Sequence, residues 1–503
     1  MVRVGVLAAI SLAIISPASA AEPDGPSSLI TRLEAARILL EEHLFSTGKG
    51  SRIGEQKALI EFYSKPDQQL LWVDEDGTNE RGKAVIEEIS KADSYGLRAS
   101  TYGLSKIGAI PTDQPGIDWL ATTESKISLA VLSYSRDARG GRLDPSRLSE
   151  NLDPSLSIAN PLEVLETIAI RSDPAAYLRS FEPHQAQFEA LRHKLSESQG
   201  KAGNGGNGQR ILLNMERWRW LPDNLGSLYV MVNVPEFTLR VVEDGKVIHT
   251  ARVVVGKPDK QTPIFSQDMQ EIVFNPYWNV PNSIKTEELL PYLAQGGGLF
   301  GGDTSILERH NLHVNYGGHE VNPASLDWGG IDIRSVEIFQ PPGGDNPLGR
   351  VKFVFPNKHD VYMHDTTQKN FFAQSIRAES HGCMRVQNPE QLAALLLKRD
   401  QNWSQERVAA ALANGYDQHV KLERRIPVYI TYFTAWVNAD GSMSTFGDVY
   451  GHDARMARAL LGGSIGPSTE GDQLVTQHVQ SANRRPHQRN NFNNDFARTF
   501  FNF

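Results

Sequence analysis

Cysteine is almost absent from this chain: 503 residues contain one, Cys383. A lone cysteine cannot close an internal disulfide, so it is either an inert buried thiol or a reactive one. Beyond the amino terminus, no apolar run approaches the roughly 20 residues that a membrane span needs. Basic charge is not in excess either. The 51 Lys and Arg face 59 Asp and Glu, a formal net charge of −8, and no basic stripe stands out. That balance argues against nucleic acid as a general partner. Signatures of metal and nucleotide chemistry are missing as well. There is no His-Glu-x-x-His, and the glycines near Gly296 lack the following Gly-Lys-Ser/Thr of a phosphate loop. His310-x-x-His313 has ligand-like spacing but no partner cluster, so neither metal nor cofactor is expected.

What is present begins with an export pattern. Arg3 supplies a positive start, Val4 to Ile15 form a short apolar core, and Ala18-Ser19-Ala20 offers small residues for cleavage. Residues 1–20 therefore read as a removed signal peptide, and the mature chain is expected to start at Ala21. A cysteine kept in an exported protein without a disulfide partner is exposed to oxidation, which favours a working thiol.

The remainder reads as α+β. Residues 28–198 form a mainly helical domain: Leu33, Ala36, Leu40 and Leu44 recur at helical spacing, as do Val85, Ile89 and Ala92 ahead of Gly96. Ile127, Val131 and Leu132 precede Gly140-Gly141, and Phe188, Leu191 and Leu195 close the region. Residues 199–209, rich in Gly and Asn, offer nothing to bury and read as a flexible linker. From 210 to 461 the period becomes two, giving a β-rich sandwich or barrel. Expected strands are Leu228–Val234, Phe237–Val242, Val247–Val255, Glu271–Phe274, Arg350–Phe355, Val361–His364 and Val428–Val437, with a tight hairpin at Asp244-Gly245. Residues 281–349 interrupt the strands with a long Gly- and Asn-rich stretch, read as a mobile cap outside the sandwich. The polar residues 462–503 read as a disordered tail.

The chemistry gathers around Ser380-His381-Gly382-Cys383-Met384-Arg385. A free thiol has a pKa near ~8.5, so an imidazole that takes its proton helps it attack a carbonyl. Two histidines could serve: His381, close in sequence, or His364, which ends an expected strand. Gly382 lets the backbone bend so that neighbouring amides converge on a developing oxyanion, and Arg385 offers a fixed cation for a carboxylate. These residue types describe acyl transfer through a thioester.

At these positions the chain resembles the L,D-transpeptidases of bacterial cell-wall synthesis, whose YkuD-type catalytic domain carries a histidine, a spacer and Ser-His-Gly-Cys. His364, the spacer Asp365 to Glu379, and Ser380 to Arg385 fit that signature. The blocks Asn214 to Trp220, Tyr277 to Ile284, Asn346 to Gly349 and Tyr362 to Thr366 resemble the large, multi-domain YcbB-like branch, and Leu71-Trp72-Val73 resembles its scaffold domain. Many relatives carry a peptidoglycan-binding module where this chain has only the Gly/Asn linker.

The resemblance implies a β-rich catalytic domain with a substrate-capping insertion. It implies Cys383 as nucleophile, His364 as general base, and the backbone of His381, Gly382 and Cys383 as oxyanion site. Ser380 would support the motif, Arg385 would contact a stem carboxylate, and Tyr362 and Asp365 would stand close behind. The implied donor is a peptidoglycan tetrapeptide stem cleaved between diaminopimelate and D-alanine; the acceptor is the amine of a second stem. A periplasmic location, acylation by carbapenems and other cell-wall enzymes as partners follow from the same resemblance. Hydrolysis by an L,D-carboxypeptidase, or transfer to a D-amino acid or a protein, would use the same residues. A non-catalytic wall-binding scaffold is the reading from outside enzymology.

Overall fold

The computed structural model describes residues 33–40, 53–66, 68–107, 115–199, 206–294, 303–462 and 472–477. The expected signal peptide, Leu44, the glycines at 296–298 and most of the tail lie outside them. The chain divides into two compact units.

The first unit comprises 1–89, 100–133 and 160–177. It is built from helices Ile53–Tyr63, Glu80–Ser90, the Ile117–Ala138 helix as far as Ser133, and Pro161–Ile170. Asn160 caps the last of these by accepting from the Leu162 amide, ahead of a proline whose missing N–H is no loss there. Val85 and Ile89 are buried, as the helical stripe requires. Trp72 lies in a polar knot: Glu124, fully buried, accepts from Tyr63 Oη at 2.6 Å and from the Leu71 and Trp72 amides at 2.5 and 2.9 Å.

The second unit comprises 90–99, 134–159 and 178–503. Its main sheet contains β1 Leu228–Asn233, β2 Thr238–Glu243, β3 Lys246–Gly256, β4 Ser266–Phe274, β5 Val351–Val354, β6 Met363–His364, β7 Ala378–Ser380, β8 Met384–Val386 and β9 Gln418–Thr431. They pair in the order β7-β3-β8-β6-β5-β4-β9-β1-β2. Because β2 also pairs with β3, all but β7 close into a ring. At the β2–β3 turn, Asp244 and Gly245 both take positive φ, 48° and 76°, as a tight hairpin demands. β9 starts at Gln418, well before the expected Val428, because its first part carries Lys421, Glu423, Arg424 and Arg425, whose charges mask the alternation. A register shift between Lys421 and Ile426 accommodates that charged run.

Period-two burial places the core. Val230, Val232, Leu239, Val241, Ile272, Phe274, Val351 and Phe353 face the interior, which helices Pro389–Gln401 and Gln405–Ala413 help to cover. Met231 and Tyr429 face outward against Phe188, Leu191 and Leu195 of helix Ala186–Gln199 and Trp218 of helix Gly206–Trp218. The expected linker therefore ends earlier: residues 206–209 already form the first turn of a helix. The apolar stripe of 186–199 likewise packs on the β-rich unit, although its sequence reads as part of the preceding helical domain.

Helix Gly206–Trp218 carries the Asn214-to-Trp220 block, and its polar residues are buried in pairs. Asn214 donates to Thr434 Oγ1 at 2.9 Å, and Arg217 stands 2.6 Å from Asp453. Arg210 meets Asp472 at 2.5 Å. Asp472 opens a short helix over residues 472–477, so this part of the expected disordered tail is docked rather than free, with Val475 in the core.

The stretch read as a cap is a small structure of its own. Trp278–Asn279, Glu337–Gln340, His313–Tyr316 and His319–Glu320 form a separate antiparallel sheet in that order. Trp278, Leu289, Leu307, Val314, Trp328 and Ile338 make its private core. It stands outside the main sheet, yet its centre is packed rather than loop-like.

Candidate active site

Two short strands set the site. β6 and β8 run parallel, with Met363 opposite Met384 and His364 opposite Arg385. The Met384 amide donates to the Tyr362 carbonyl at 3.1 Å, which brings Cys383 alongside Tyr362. Alternation then sorts the side chains. Met363 and Met384 enter the core, while Tyr362, His364, Cys383 and Arg385 line one cleft. His364, among the two candidate bases, thus shares a face with the thiol. The cap contributes Trp278, Pro281, Ile284, Pro347 and Leu348 to this cleft, and the turn before β6 contributes His359 and Asp360.

The loop between β7 and β8 is tied down by buried hydroxyls. Gly382 takes φ +112°, a conformation that L side chains rarely adopt, and that explains the glycine. Ser380 donates to the Cys383 carbonyl at 2.6 Å and accepts from the Gly382 amide at 3.3 Å. Thr262, fully buried, donates to the Gly382 carbonyl at 2.7 Å and accepts from the Gly256 amide at 2.9 Å. Tyr450 Oη closes the clamp, accepting from the Thr262 amide at 3.2 Å and donating to the Gly256 carbonyl at 2.7 Å. The Gly382 amide is turned to the Ser380 hydroxyl, and the positive φ of Gly382 shapes the loop.

Burial favours the neutral form of both Cys383 and His364. Burial pushes the Cys383 thiol up to about 11, against smaller opposing effects from the Tyr362 backbone, Lys352 and Arg385. Burial also drives His364 down to about 3, helped by the positive charge of Arg385. His364 Nδ1 is buried without a hydrogen-bond partner among the described residues. The Tyr362 ring meets the His364 ring edge-on, centroids 5.6 Å apart, and burial together with the nearby Cys383 raises the pKa of the Tyr362 hydroxyl.

Two expected binding residues have internal partners. Arg385 lines the cleft but donates to Gln368 Oε1 at 2.6 Å and lies over the Phe371 ring. Asp365 does not line the cleft. Its carboxylate accepts from the Arg350 and Thr366 amides at 2.9 and 2.7 Å and pairs with Lys369. A side chain at Gly349 would collide with it, Cβ lying 2.4 Å from Asp365 Cγ. Asp365 thus latches the turn into β5. His381 reaches the cap, its Nε2 standing 2.6 Å from Glu288 Oε1. The neighbouring Glu287 pairs with Lys260.

Sequence reasoning missed Glu288, Lys352, Thr262, Tyr450 and Asp360. Only Asp360, the residue just before the expected strand that ends at His364, had a local signal in its neighbourhood; the others arrive from distant segments. The spaced pair His310 and His313 is drawn to different surroundings. His310 is buried and pushed down to about 4 by that burial, while His313 Nδ1 stands 2.7 Å from Glu320. No cluster of three or more metal-ligating side chains occurs among the described residues.

Residues 227–409 match the family described as the L,D-transpeptidase catalytic domain, YkuD, and residues 57–195 match the family described as the scaffold domain. A Haemophilus influenzae protein named for L,D-transpeptidase activity is 32% identical over 254 residues. That match covers 50% of each chain, so the chain spans about half the length of this curated relative. Family by family, the β-rich segment 227–409 belongs to the YkuD L,D-transpeptidase catalytic domains, and the mainly helical segment 57–195 belongs to the scaffold domains that accompany them.

Proposed function

We propose that this protein is a peptidoglycan L,D-transpeptidase acting through a thioester on Cys383. The observation that carries the reading is the shared face of β6 and β8, where the chain's one thiol and a buried neutral imidazole line the same cleft. A thiol held near pKa 11 is not a standing thiolate, so proton removal accompanies attack. As Sγ adds to the diaminopimelate carbonyl, His364 takes the thiol proton and the carbonyl electron pair becomes an oxyanion. The tetrahedral centre collapses, the bond to D-alanine breaks, and His364 returns the proton to the departing amine. An imidazole that holds a proton so weakly gives it up readily in this second step. The acceptor amine of another stem then attacks the thioester, again losing a proton to His364, and the proton passes back to Sγ as the crosslink forms.

The clamp of Ser380, Thr262 and Tyr450 supports this chemistry by fixing the loop before the event, which spares reorganisation as charge develops. The cap residues Trp278, Ile284 and Leu348 would exclude water from the thioester and so favour an amine acceptor over hydrolysis. Such a substrate is met in the periplasm, and the export pattern at residues 1–20 supports that location for the protein. The test is incubation of the purified protein with a disaccharide-tetrapeptide. An adduct on Cys383 of donor mass less D-alanine, followed by dimeric muropeptides, is expected. Release of D-alanine with monomers alone would make it a carboxypeptidase, and absence of any adduct would end the thioester reading. Cys383→Ala should abolish the adduct, and His364→Ala should slow it by roughly 10²–10⁴.

A further inference from the structure

β5 places a lysine where its neighbours are apolar. Val351 and Phe353 are fully buried in the core, so Lys352 between them faces the opposite way, onto the surface it shares with His364, its partner across β6. Its Nζ lies 3.9 Å from the centroid of the Tyr362 ring. Among the described residues this ammonium makes neither a hydrogen bond nor an ion pair, and burial pushes its pKa down. Holding a part-buried cation over a ring, with no carboxylate in ion-pair range, costs desolvation that the ring's face only partly offsets. Such an arrangement favours any process that creates negative charge close by. Tyr362 stands alongside Cys383, its carbonyl accepting from the Met384 amide, and both side chains line the same cleft, so the ring beneath the ammonium neighbours the sulfur.

We propose that Lys352 is a positioning residue for the thiol, acting through Tyr362 to stabilise the charge that develops on Cys383 Sγ. The proposal rests on Cys383 being the nucleophile. The need for it follows from the imidazole. Burial and Arg385 disfavour a proton on His364, so further positive charge beside the sulfur helps while that proton moves. Arg385, held by Gln368, is one source. Lys352 is the other, and Cys383 is its strongest electrostatic partner. The charged groups that face Lys352 are Asp360 from the turn before β6, Glu271 from β4 and Asp417 ahead of β9, all of which keep it protonated. A cation over the ring also makes the Tyr362 hydroxyl a stronger donor toward a sulfur that loses its proton.

Alkylation by iodoacetamide reads the sulfur directly, because no other cysteine competes. The protein, with Lys352→Met, Lys352→Arg and Tyr362→Phe variants, is alkylated across pH 6 to 11 and followed by intact mass. Lys352→Met should move the alkylation profile up by about one unit, about tenfold slower at neutral pH, and slow carbapenem acylation by a similar factor. Lys352→Arg, which keeps the charge, should stay within about threefold of the parent. In the Tyr362→Phe background the Lys352→Met effect should shrink, since the two act as one unit. Should Lys352→Met fold poorly, Lys352→Gln supplies the same comparison, with melting temperature reported beside it. A Lys352→Met profile superimposable on the parent's overturns the proposal, as does an undiminished effect in Tyr362→Phe. Failure of the parent protein to be acylated by stem or carbapenem would instead strike the nucleophile assignment, leaving the alkylation comparison to judge Lys352 alone.

Discussion

Cys383 should be a slow thiol at neutral pH, and the size of the effect can be worked from the structure. With an ordinary cysteine value of 9.0, about 1% would be thiolate at pH 7; with the folded value near 11, the fraction falls to about 0.01%. Since only the thiolate alkylates, iodoacetamide should react about 100-fold more slowly than with an unburied thiol, and the rate should climb about tenfold per pH unit up to pH ~10. The single cysteine makes the assay clean: intact mass against time at each pH gives the rate. Acylation by a stem or carbapenem should behave differently. On the proposed mechanism the proton goes to His364 during attack, and burial keeps that imidazole neutral at pH well above 3. Its profile should therefore be nearly flat from pH 5 to 9, while alkylation rises steeply over the same range. An alkylation rate that levels off by pH 8, or matches a free thiol at pH 7, would mean a standing thiolate–imidazolium pair. The account of a neutral resting site would then be wrong.

In the first unit, burial raises Glu124 from 4.5 to about 7. Its folded pKa lies above its unfolded one, so the contribution to stability is full below pH 4.5 and is lost as pH rises to about 7. Thermal unfolding should show a loss of about 3 kcal/mol across that window, which Glu124→Gln should flatten. Thr262→Val removes the hydroxyl that bridges the Gly256 amide and the Gly382 carbonyl, orphaning two buried groups at about 1–3 kcal/mol each. It should lower the melting temperature and slow acylation at least tenfold, whereas unchanged acylation would show that the clamp does not set the loop. Asp472→Ala leaves Arg210 with Asp453 at 3.7 Å and the Phe446 carbonyl, so a loss of about 1–3 kcal/mol is expected in denaturant unfolding. Glu288→Gln weakens the part-buried contact with His381, worth about 1 kcal/mol, so labelling of Cys383 by a bulky maleimide should rise by no more than about fivefold. The cap is better probed this way than by deleting residues 296–322, because Leu307, Leu312 and Val314 belong to its core.

Several features of this protein were fixed by local sequence, because they depend only on residues close along the chain. The Asp244-Gly245 hairpin is one, since two consecutive positive φ angles need that pair. The two alternations Tyr362-Met363-His364 and Cys383-Met384-Arg385 are another; each puts a methionine in the core and polar groups on the opposite face. The strands β7 and β8 were not legible, being three residues each, too short to show a period. Nor was the start of β9, where charge hides the pattern. Only the tertiary structure decided the parallel pairing of β6 with β8, the closure of β2 onto β3, and the arrival of Thr262, Tyr450 and Glu288 around the loop. It also decided the chemistry of the two reactive groups. A motif names a thiol and an imidazole, but their proton affinities follow from how much protein surrounds them and which charges converge there. Here burial drives the two apart, to about 11 and about 3, and places Lys352 where no neighbouring residue in the sequence announces it.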